Sequence, residues 1–415
     1  MAQASHLQLP STQILHADRK DSLQYGELHA PVYRNIAYHY DQSADIAAVF
    51  QGNKKGYTYG RQTNPSLTAL EKKISMLEGG LDSVLFASGM AAISSMLFAL
   101  LQQGDQVIAS SYLFGNTRSL LESFIRFGIE LVFVDTTDVK HVEQRLNEKT
   151  KLVFLETLAN PRTQISDLKR IGELCLSKGI LYVVDNTMTS PALFQPKQVQ
   201  AGLIINSLSK YIGGHGACLG GSLTETGLFD WSQFSNIAEI YRKYPVASQG
   251  LMQIRKKGLR DMGGTLSPDS ANLLALGLET LTLRMATINR NALAIAQFLA
   301  NHPLIQQVYY PGLAQHPQHQ RATTLFASYG GLMSFELVEH IDLNQFIDRL
   351  QYFVCSSNLG DNRSLVIPVA QTIFYEIGSQ KRKEMAISEQ LIRLSVGIEP
   401  LDDLLADLDQ ALTVA

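Results

Sequence analysis

The chain has 415 residues, of which 45% are hydrophobic and 18% are charged, and its formal net charge is −3. This length suits two or three domains with large cores, and the charge balance gives no electrostatic basis for binding nucleic acid. No apolar run approaches the roughly 20 residues of a membrane helix, residues 1–20 lack a signal-peptide core, and the three cysteines show no CxxC spacing, so a cytoplasmic protein without membrane contact is expected.

The N-terminal residues 1–62 are rich in tyrosine and interrupted by prolines and glycines, and they predict an extended arm that packs on another surface. Apolar residues at helical spacing then predict a helix over 66–77, ended by Gly79-Gly80. Short apolar strands alternate with helices from there on, with strands predicted at 84–86, 107–109, 131–134, 151–155, 181–184 and 203–205. This pattern is typical of an α/β fold with a mostly parallel sheet covered on both faces.

The last third of the chain has a different pattern of predicted helices and strands. A long helix is predicted over 268–302, and strands over 331–336 and 391–396 alternate with helices in a smaller α+β domain. The predicted domains are therefore the arm 1–62, a large domain 63–260, and a linking helix with a small domain over 261–415.

Two charged residues follow neighbouring predicted strands of the large domain. Asp185 ends the strand at 181–184, and Lys210 follows the strand at 203–205 in the segment Ser207-Leu208-Ser209-Lys210. Ligands of parallel sheets bind at the carboxyl ends of the strands, where these two side chains would meet. Pyridoxal phosphate (PLP) requires a lysine for its aldehyde and an acid for its pyridine nitrogen. The pair favours a PLP site over the alternative of a solvated surface lysine.

A phosphate site is predicted at the turn between the strand 84–86 and the next helix. Backbone N–H groups at Gly89 and Met90, together with the dipole of the helix, suit a dianionic phosphate. The hydroxyl groups of Ser207 and Ser209 could add donors. The alternative is a tight turn that needs glycine for its backbone alone.

Two further polar residues are candidates for the same edge. Asn160 follows the strand 151–155 and could donate a hydrogen bond to the phenolic oxygen of the cofactor. Arg393 lies inside an otherwise apolar strand and suits the carboxylate of an amino acid, although a structural ion pair is the alternative. No metal site is expected, because His316 and His319 have the composition of a surface loop.

Six segments together resemble the Cys/Met-metabolism PLP enzymes, a family that includes cystathionine γ-synthase, cystathionine lyases, methionine γ-lyase and O-acylhomoserine sulfhydrylases. The resemblance extends from about residue 12 to residue 412. In the order of the family's motifs, the segments are Tyr59-Gly60-Arg61-Gln62-Thr63-Asn64-Pro65, Ser88-Gly89-Met90-Ala91-Ala92, Glu156-Thr157 with Asn160-Pro161, Val184-Asp185-Asn186-Thr187, Ser207-Leu208-Ser209-Lys210-Tyr211, and Ile392-Arg393-Leu394-Ser395-Val396-Gly397.

The resemblance implies an α/β PLP-dependent transferase of fold type I that assembles as a homotetramer, a dimer of dimers with shared active sites. It implies that Lys210 forms the Schiff base and moves protons, that Asp185 pairs with the ring nitrogen, and that Arg393 binds the substrate carboxylate. Residues that hold the cofactor in addition would be Gly89, Met90, Phe114, Asn160, Thr187, Ser207 and Ser209, with Tyr59 and Arg61 reaching the phosphate in a neighbouring subunit.

Three departures from the family's pattern lie on the substrate side. Phe114 stands where the family has a tyrosine stacked on the cofactor, so the ring can stack but carries no hydroxyl. The segment 357–364 contains Asn358, as a substrate contact, and Arg363 in a Gly-Asp-x-Arg pattern that sulfhydrylase-like relatives often carry. The segment 367–373 lacks both histidines of the family.

These features predict γ-replacement on an O-acylhomoserine with sulfide or a thiol. One alternative is a γ- or β-lyase that releases a 2-oxo acid and ammonia from methionine, cystathionine or a related amino acid. A second alternative, from a different class, is a PLP-binding protein without catalytic activity.

Overall fold

A computed structural model of the chain describes residues 10–18, 23 and 25–413. The remaining parts of the predicted arm, residues 1–9, 19–22 and 24, lie outside the described residues. No helix in the described ranges has the length and hydropathy needed to cross a membrane.

The elements that build the first sheet lie before residue 226. The helices are α1 (Pro10–Leu15), α2 (Ser43–Gln51), α3 (Pro65–Glu78), α4 (Gly89–Leu100), α5 (Gly115–Phe124), α6 (Val139–Glu143), α7 (Leu168–Lys178) and α8 (Ser190–Leu193). The strands are β1 (Asp82–Phe86), β2 (Gln106–Ser110), β3 (Glu130–Val134), β4 (Thr150–Glu156), β5 (Leu181–Asp185), β6 (Leu203–Ser207) and β7 (Gly221–Glu225).

The rest of the chain adds the second sheet and its helices. The helices are α9 (Gln249–Gln253), a π-helical turn (Ile254–Arg260), α10 (Pro268–Glu279), α11 (Leu281–Ala300), α12 (His319–Leu325), α13 (Leu343–Arg349), α14 (Gly378–Glu384) and α15 (Leu401–Thr413). The strands are β8 (Ile305–Tyr309), β9 (Leu332–Leu337), β10 (Val354–Cys355), β11 (Leu365–Pro368) and β12 (Leu391–Ser395). Short 3-10 turns lie at Ile125–Phe127, Pro196–Val199, Trp231–Gln233, Glu239–Tyr241 and Val246–Ser248.

The large sheet has seven strands in the order β1-β7-β6-β5-β4-β2-β3. All of them except β7 run in the same direction, which confirms the mostly parallel sheet. Strand β7 was not predicted because Ser222 and Thr224 break its apolar pattern, yet all of its residues are buried. The polar side chains are buried against neighbours: Thr224 Oγ1 lies 2.8 Å from Ser83 Oγ on β1.

Each face of this sheet is covered by its own core. On β5, Tyr182 and Val184 belong to one cluster of buried side chains, whereas Leu181 and Val183 belong to the other. Because both faces of the strand are buried, its residues are apolar without alternation, as expected for parallel strands between helices. The carboxyl ends of β1, β4, β5 and β6 therefore meet at one open edge, where ligands of such sheets bind.

The second sheet has five strands in the order β10-β11-β12-β9-β8 and is antiparallel except for the β10–β11 pair. The segment predicted as helical over 268–302 is helical in the structure, but it is divided into two helices that meet at Thr280. The Gly277 carbonyl accepts hydrogen bonds from the Thr280 N–H at 3.3 Å and from Arg284 Nη2 at 2.7 Å. These bonds provide partners for a carbonyl group near the end of α10, and the helix ends there.

The described part of the N-terminal arm is more regular than predicted. It contains α1 and α2, and an isolated bridge pairs Ala37 with Tyr59. Asn64 caps α3 by accepting a hydrogen bond from the Ser66 N–H, and Pro65 occupies the first turn. The domain boundaries at 62/63 and 260/261 stay predictions.

Candidate active site

A cavity of about 340 Å³ opens at the carboxyl edge of the large sheet, where the small sheet faces it. Most of the predicted site residues line it. They are Gly89, Met90, Phe114, Asn160, Asp185, Thr187, Ser207, Ser209, Lys210 and Arg393. The parallel-strand rule accounts for this convergence, since Gly89, Asp185 and Ser207 follow or end β1, β5 and β6.

Lys210 lies just beyond β6 and crosses the cavity toward the small sheet. Its Nζ atom donates a hydrogen bond to Asn358 Oδ1 at 2.7 Å. Burial, and secondarily the positive charge of Arg393, lower the pKa of Lys210 to about 8. At neutral pH a lysine with this pKa is the free amine roughly 300 times more often than one with a pKa of 10.5. Lys210 is therefore prepared to react with an aldehyde or to accept a proton.

Asp185 is the last residue of β5 and lines the wall of the cavity. Its Oδ1 atom accepts a hydrogen bond from the Thr187 N–H at 2.9 Å. The hydroxyl of Thr187 accepts in turn from the Ser207 N–H at 2.8 Å, so it joins the ends of β5 and β6. Burial raises the pKa of Asp185, while the hydrogen bonds from Thr187 act in the opposite direction. A cation beside this carboxyl would stabilise its ionised form.

The predicted phosphate end lies at the start of α4. Ser88 caps this helix by accepting a hydrogen bond from the Ala91 N–H at 3.1 Å, and the N–H groups of the first turn lie at the cavity. A Cβ atom on Gly89 would lie 2.9 Å from Ser207 Cβ, so a glycine is needed for this close packing. Ser209 Oγ accepts from the Gly220 N–H at 2.9 Å, so the hydroxyl is held in place with its oxygen already engaged.

Arg393 lies in the middle of β12 and is buried. Its Nη2 atom donates to the main-chain oxygens of Ser357 and Asn358, each at 2.9 Å, and Nη1 lies 3.4 Å from Asn160 Oδ1. Among the described residues, Arg393 Nε has no hydrogen-bond partner. Burial lowers the pKa of the guanidinium to about 10, and none of these hydrogen bonds goes to a carboxylate. Such a cation is suited to an incoming carboxylate.

Phe114 and Glu156 form a pair that the sequence did not predict. The Phe114 N–H donates to Glu156 Oε1 at 3.0 Å, and both residues line the cavity. Burial, and then the charge of Asp185 on the adjacent strand, raise the pKa of Glu156 well above its usual range. Glu156 was noted only as part of a matching motif. Its position at the end of β4, equivalent to that of Asp185 on β5, is the signal that could have identified it.

Four predicted residues do not line the cavity, and they are Tyr59, Arg61, Asn358 and Arg363. Tyr59 and Arg61 are exposed on the arm, with the guanidinium 5.4 Å from the centre of the Tyr59 ring. Arg363 is also exposed, and its Nε atom donates to Asp361 Oδ1 at 2.9 Å. The structure therefore does not bring Arg363 to the substrate position predicted for it. Asn358 reaches the site through its bond to Lys210.

The segment before α12 is a loop with exposed residues, as predicted, but the side chain of His316 is not one of them. His316 is buried, its Nε2 atom lies 3.3 Å from Thr163 Oγ1, and burial lowers its pKa to about 4. The composition of the loop gave no sign that the start of α12 packs against the segment after β4.

A separate group of potential metal ligands, Asp18, His29 and Glu279, lies on the arm and α10. The ammonium of Lys73 is 3.0 Å from the Asp18 carboxylate and 3.3 Å from that of Glu279, so a buried cation already compensates these charges.

The cavity meets the chemical requirements of PLP at each of its functional groups. A helix N-terminus and two serines lie at one end for a phosphate, and an amine with a lowered pKa is available for an aldehyde. A partly buried carboxyl lies at the end of β5 for a pyridine nitrogen, and Phe114 provides an aromatic face. Within the described residues, Arg393 Nε and Glu156 Oε2 are buried without hydrogen-bond partners, as expected for a site that receives a polar ligand.

Comparison with known proteins finds similar enzymes that match nearly the whole chain. The chain is 33% identical to the O-acetyl-L-homoserine sulfhydrylase of Leptospira meyeri, with 97% of this chain and 96% of that protein covered. It is 36% identical to the L-methionine gamma-lyase of Pseudomonas putida, with 97% and 96% covered. A solved structure from Campylobacter jejuni, assigned as an O-acetylhomoserine (thiol)-lyase and carrying a pyridoxyl group on a lysine, matches with a TM-score of 0.92 at 32% identity, covering 97% of this chain and 99% of that chain.

The fold similarity confirms the predicted architecture of a PLP-dependent transferase. The family described as Cys/Met metabolism PLP-dependent enzyme matches residues 11–413. The chain therefore belongs to the Cys/Met-metabolism family of PLP-dependent enzymes, and PLP is its cofactor.

Proposed function

We propose that this enzyme catalyses γ-replacement on an O-acylhomoserine, in which sulfide or a thiol takes the place of the acyl group. The observation that carries the proposal is the link through Asn358, whose side chain accepts from Lys210 and whose main chain accepts from Arg393. This link places the carboxylate-binding group next to the proton-transfer group. The similarity to an O-acetyl-L-homoserine sulfhydrylase supports the substrate class.

Substrate orientation would depend on Arg393. The main-chain oxygens of Ser357 and Asn358 fix its guanidinium plane, so the α-carboxylate of an amino acid would bind in one orientation. A substrate held there extends its carbon chain toward Phe114 and Lys210, which line the same cavity.

Proton transfer would depend on Lys210. When bound, PLP withdraws electrons from the substrate carbon that carries the amino group, which makes the proton there removable. Lys210, with its pKa lowered to about 8, would remove this proton and transfer protons at the neighbouring carbon. Asp185 would stay ionised beside the cationic ring nitrogen. In the overall exchange, the γ-carbon–oxygen bond breaks with its electron pair on the acylate, and a carbon–sulfur bond forms as the thiol loses its proton.

Phe114 influences which leaving groups the site favours. An acylate departs without protonation, whereas a thiolate leaving group benefits from a nearby acid. The hydroxyl that a tyrosine would present above the substrate is absent at Phe114, which favours esters over thioethers as substrates.

The test is a product assay on the purified holoenzyme with O-acetyl- and O-succinylhomoserine, each supplied with sulfide, with cysteine or with neither. Homocysteine or cystathionine formed faster than 2-oxobutyrate supports the proposal and identifies the sulfur donor. Release of 2-oxobutyrate regardless of thiol, or no reaction of either ester, contradicts it.

A second candidate function is elimination, in which methionine or cystathionine reacts with water to give a 2-oxo acid, ammonia and a thiol. The 36% identity to an L-methionine gamma-lyase favours it. Replacement and elimination share their first proton transfer, and they differ in whether a thiol or water completes the reaction. Activity on methionine that exceeds activity on both esters would support this candidate.

The assembly and location that we propose follow from the family. A cytoplasmic homotetramer, a dimer of dimers, would use the exposed Tyr59 and Arg61 of one subunit at the phosphate of the next. Their position outside the cavity of their own subunit supports this arrangement. Size-exclusion chromatography with light scattering tests it, and a monomer with full activity would contradict it.

A further inference from the structure

A buried carboxylate lies behind the cofactor site and takes no part in the mechanism above. Glu78, the last residue of α3, is fully buried. It accepts hydrogen bonds from Asn186 Nδ2, at 3.0 and 3.3 Å to its two oxygens, and from Asn206 Nδ2 at 2.7 Å. Both partners are neutral amides. Burial raises the pKa of Glu78 to about 7.

The two asparagines occupy matching positions at the edge of the sheet. Asn186 directly follows Asp185, the last residue of β5, and Asn206 directly precedes Ser207, the last residue of β6. Glu78 therefore connects, through side chains alone, the two strand ends that carry the site. The paired residues of β5 and β6 end at Asp185 and Ile205, and the Asn186 N–H still donates to the Ile205 main-chain oxygen at 2.8 Å. The Glu78 connection therefore adds side-chain bonds to the main-chain contact at the ends of the strands.

The connection is fixed on the β5 side by further bonds. Asn186 Nδ2 also donates to the Phe194 main-chain oxygen at 2.9 Å, and Asn186 Oδ1 accepts from Thr189 Oγ1. An unpaired buried carboxylate is costly, and hydrogen bonds from neutral donors offset that cost only when their geometry is maintained. Loss of one partner therefore changes the position of the other.

We propose that Glu78 is a positioning residue of the cofactor site, which sets the separation between Asp185 and Lys210 by joining the ends of β5 and β6. Asp185 would hold the ring nitrogen of PLP and Lys210 would hold its aldehyde, so an error in this separation would weaken cofactor binding before it affects any later step. The proposal rests on the cofactor site and is independent of the choice between replacement and elimination.

The test compares PLP retention by the purified holoenzyme of several variants. Both amides donate to Glu78 Oε1, and Asn186 Nδ2 also lies 3.3 Å from Oε2, so Glu78→Gln places an amide donor against the Asn186 donor. This variant is expected to weaken PLP binding by roughly tenfold or more. The visible circular dichroism of the bound cofactor should change as well, because its ring tilts. The double variant Glu78→Gln/Asn206→Asp reverses the polarity of one bond, since the glutamine amide can donate to the new carboxylate, and should restore most of the affinity.

A matched control lies at the opposite edge of the sheet. Glu225, the last residue of β7, is also buried, its pKa is raised to about 8 by burial, and it accepts from Trp231 Nε1 at 2.8 Å. It pairs with Leu203, the first residue of β6. Glu225→Gln should lower the melting temperature of the protein and leave PLP retention unchanged.

Two results would overturn the proposal. One is Glu78→Gln with a lower melting temperature but unchanged PLP retention and circular dichroism. The other is equal weakening of PLP binding by Glu78→Gln and Glu225→Gln, which would show a general loss of stability. If Glu78→Gln does not fold, Asn206→Ala removes a single hydrogen bond of the same connection, and an unchanged PLP affinity in that variant is equally contradictory.

Discussion

Lys210 and Asn358 are joined by a hydrogen bond of 2.7 Å that connects the two sheets of the molecule. Lys210 follows β6 of the large sheet, and Asn358 lies between β10 and β11 of the small sheet. The main-chain oxygen of Asn358 also accepts from Arg393, so the proposed proton-transfer group and the proposed carboxylate-binding group share one neighbour. In the proposed mechanism, substrate binding at Arg393 would thereby be coupled to the position of the lysine amine.

The pH dependence of PLP capture tests the environment of Lys210. Only the neutral amine reacts, and burial together with the charge of Arg393 lowers the pKa of Lys210 to about 8. The rate of PLP capture by cofactor-free protein should rise about tenfold per pH unit up to about pH 8 and then level off. Stopped-flow absorbance measures this rate.

Two variants serve as controls for that measurement. Arg393→Met removes a neighbouring charge and should move the midpoint to higher pH. Lys210→Ala should show no visible absorbance of bound cofactor and no turnover. A wild-type midpoint near 10.5, the usual value for lysine, would mean that the amine is solvated.

Arg393→Lys tests the carboxylate clamp. Lysine keeps the charge but loses the two parallel donors of a guanidinium. KM for the amino-acid substrate should therefore rise by about tenfold or more, while the absorbance spectrum of the bound cofactor stays the same. Steady-state kinetics and the spectrum together show whether Arg393 binds the substrate carboxylate. An altered spectrum with an unchanged KM would assign Arg393 to the cofactor instead.

Phe114→Tyr tests the leaving-group argument. The added hydroxyl would supply a proton donor near the γ-substituent, which assists a thiolate but not an acylate. The ratio of activity on cystathionine or methionine to activity on O-acetylhomoserine should therefore increase. Measurement of kcat/KM for each substrate gives this ratio, and an unchanged ratio removes the argument that Phe114 selects esters.

Glu156 is expected to act in its protonated form, because burial and the adjacent Asp185 raise its pKa. Glu156→Gln keeps the oxygen that accepts from the Phe114 N–H and should retain activity within roughly threefold. Glu156→Ala leaves that N–H unpaired and should lower activity more than tenfold, with altered circular dichroism of the cofactor. Equal loss in both variants would show that a charged carboxylate is needed.

Much of the site followed from the sequence because parallel strands bring their carboxyl ends to one edge. Asp185, Ser207 and Lys210 could be placed there from local apolar runs alone. Glu156 obeys the same rule, but a strand-end carboxylate has several possible roles until its neighbours are known. Arg363, by contrast, was assigned by pattern, and its position beside Asp361 depends on a loop conformation that spacing does not determine.

The features that escaped prediction depend on contacts between distant parts of the chain. Glu78 and Asn186 are separated by 108 positions, and nothing local to either residue indicates their hydrogen bond. Strand β7 is polar in sequence and buried only because β1 and β6 flank it. The break at Thr280 likewise depends on Arg284, whose guanidinium also donates to the Tyr211 and Ile212 main-chain oxygens next to Lys210.

The most direct measurement is the partition of O-acetylhomoserine between homocysteine and 2-oxobutyrate when the holoenzyme is saturated with sulfide. The proposed γ-replacement predicts that homocysteine is the main product and that its share falls as sulfide is withdrawn. A product mixture dominated by 2-oxobutyrate at every sulfide concentration would contradict γ-replacement and identify the enzyme as a lyase.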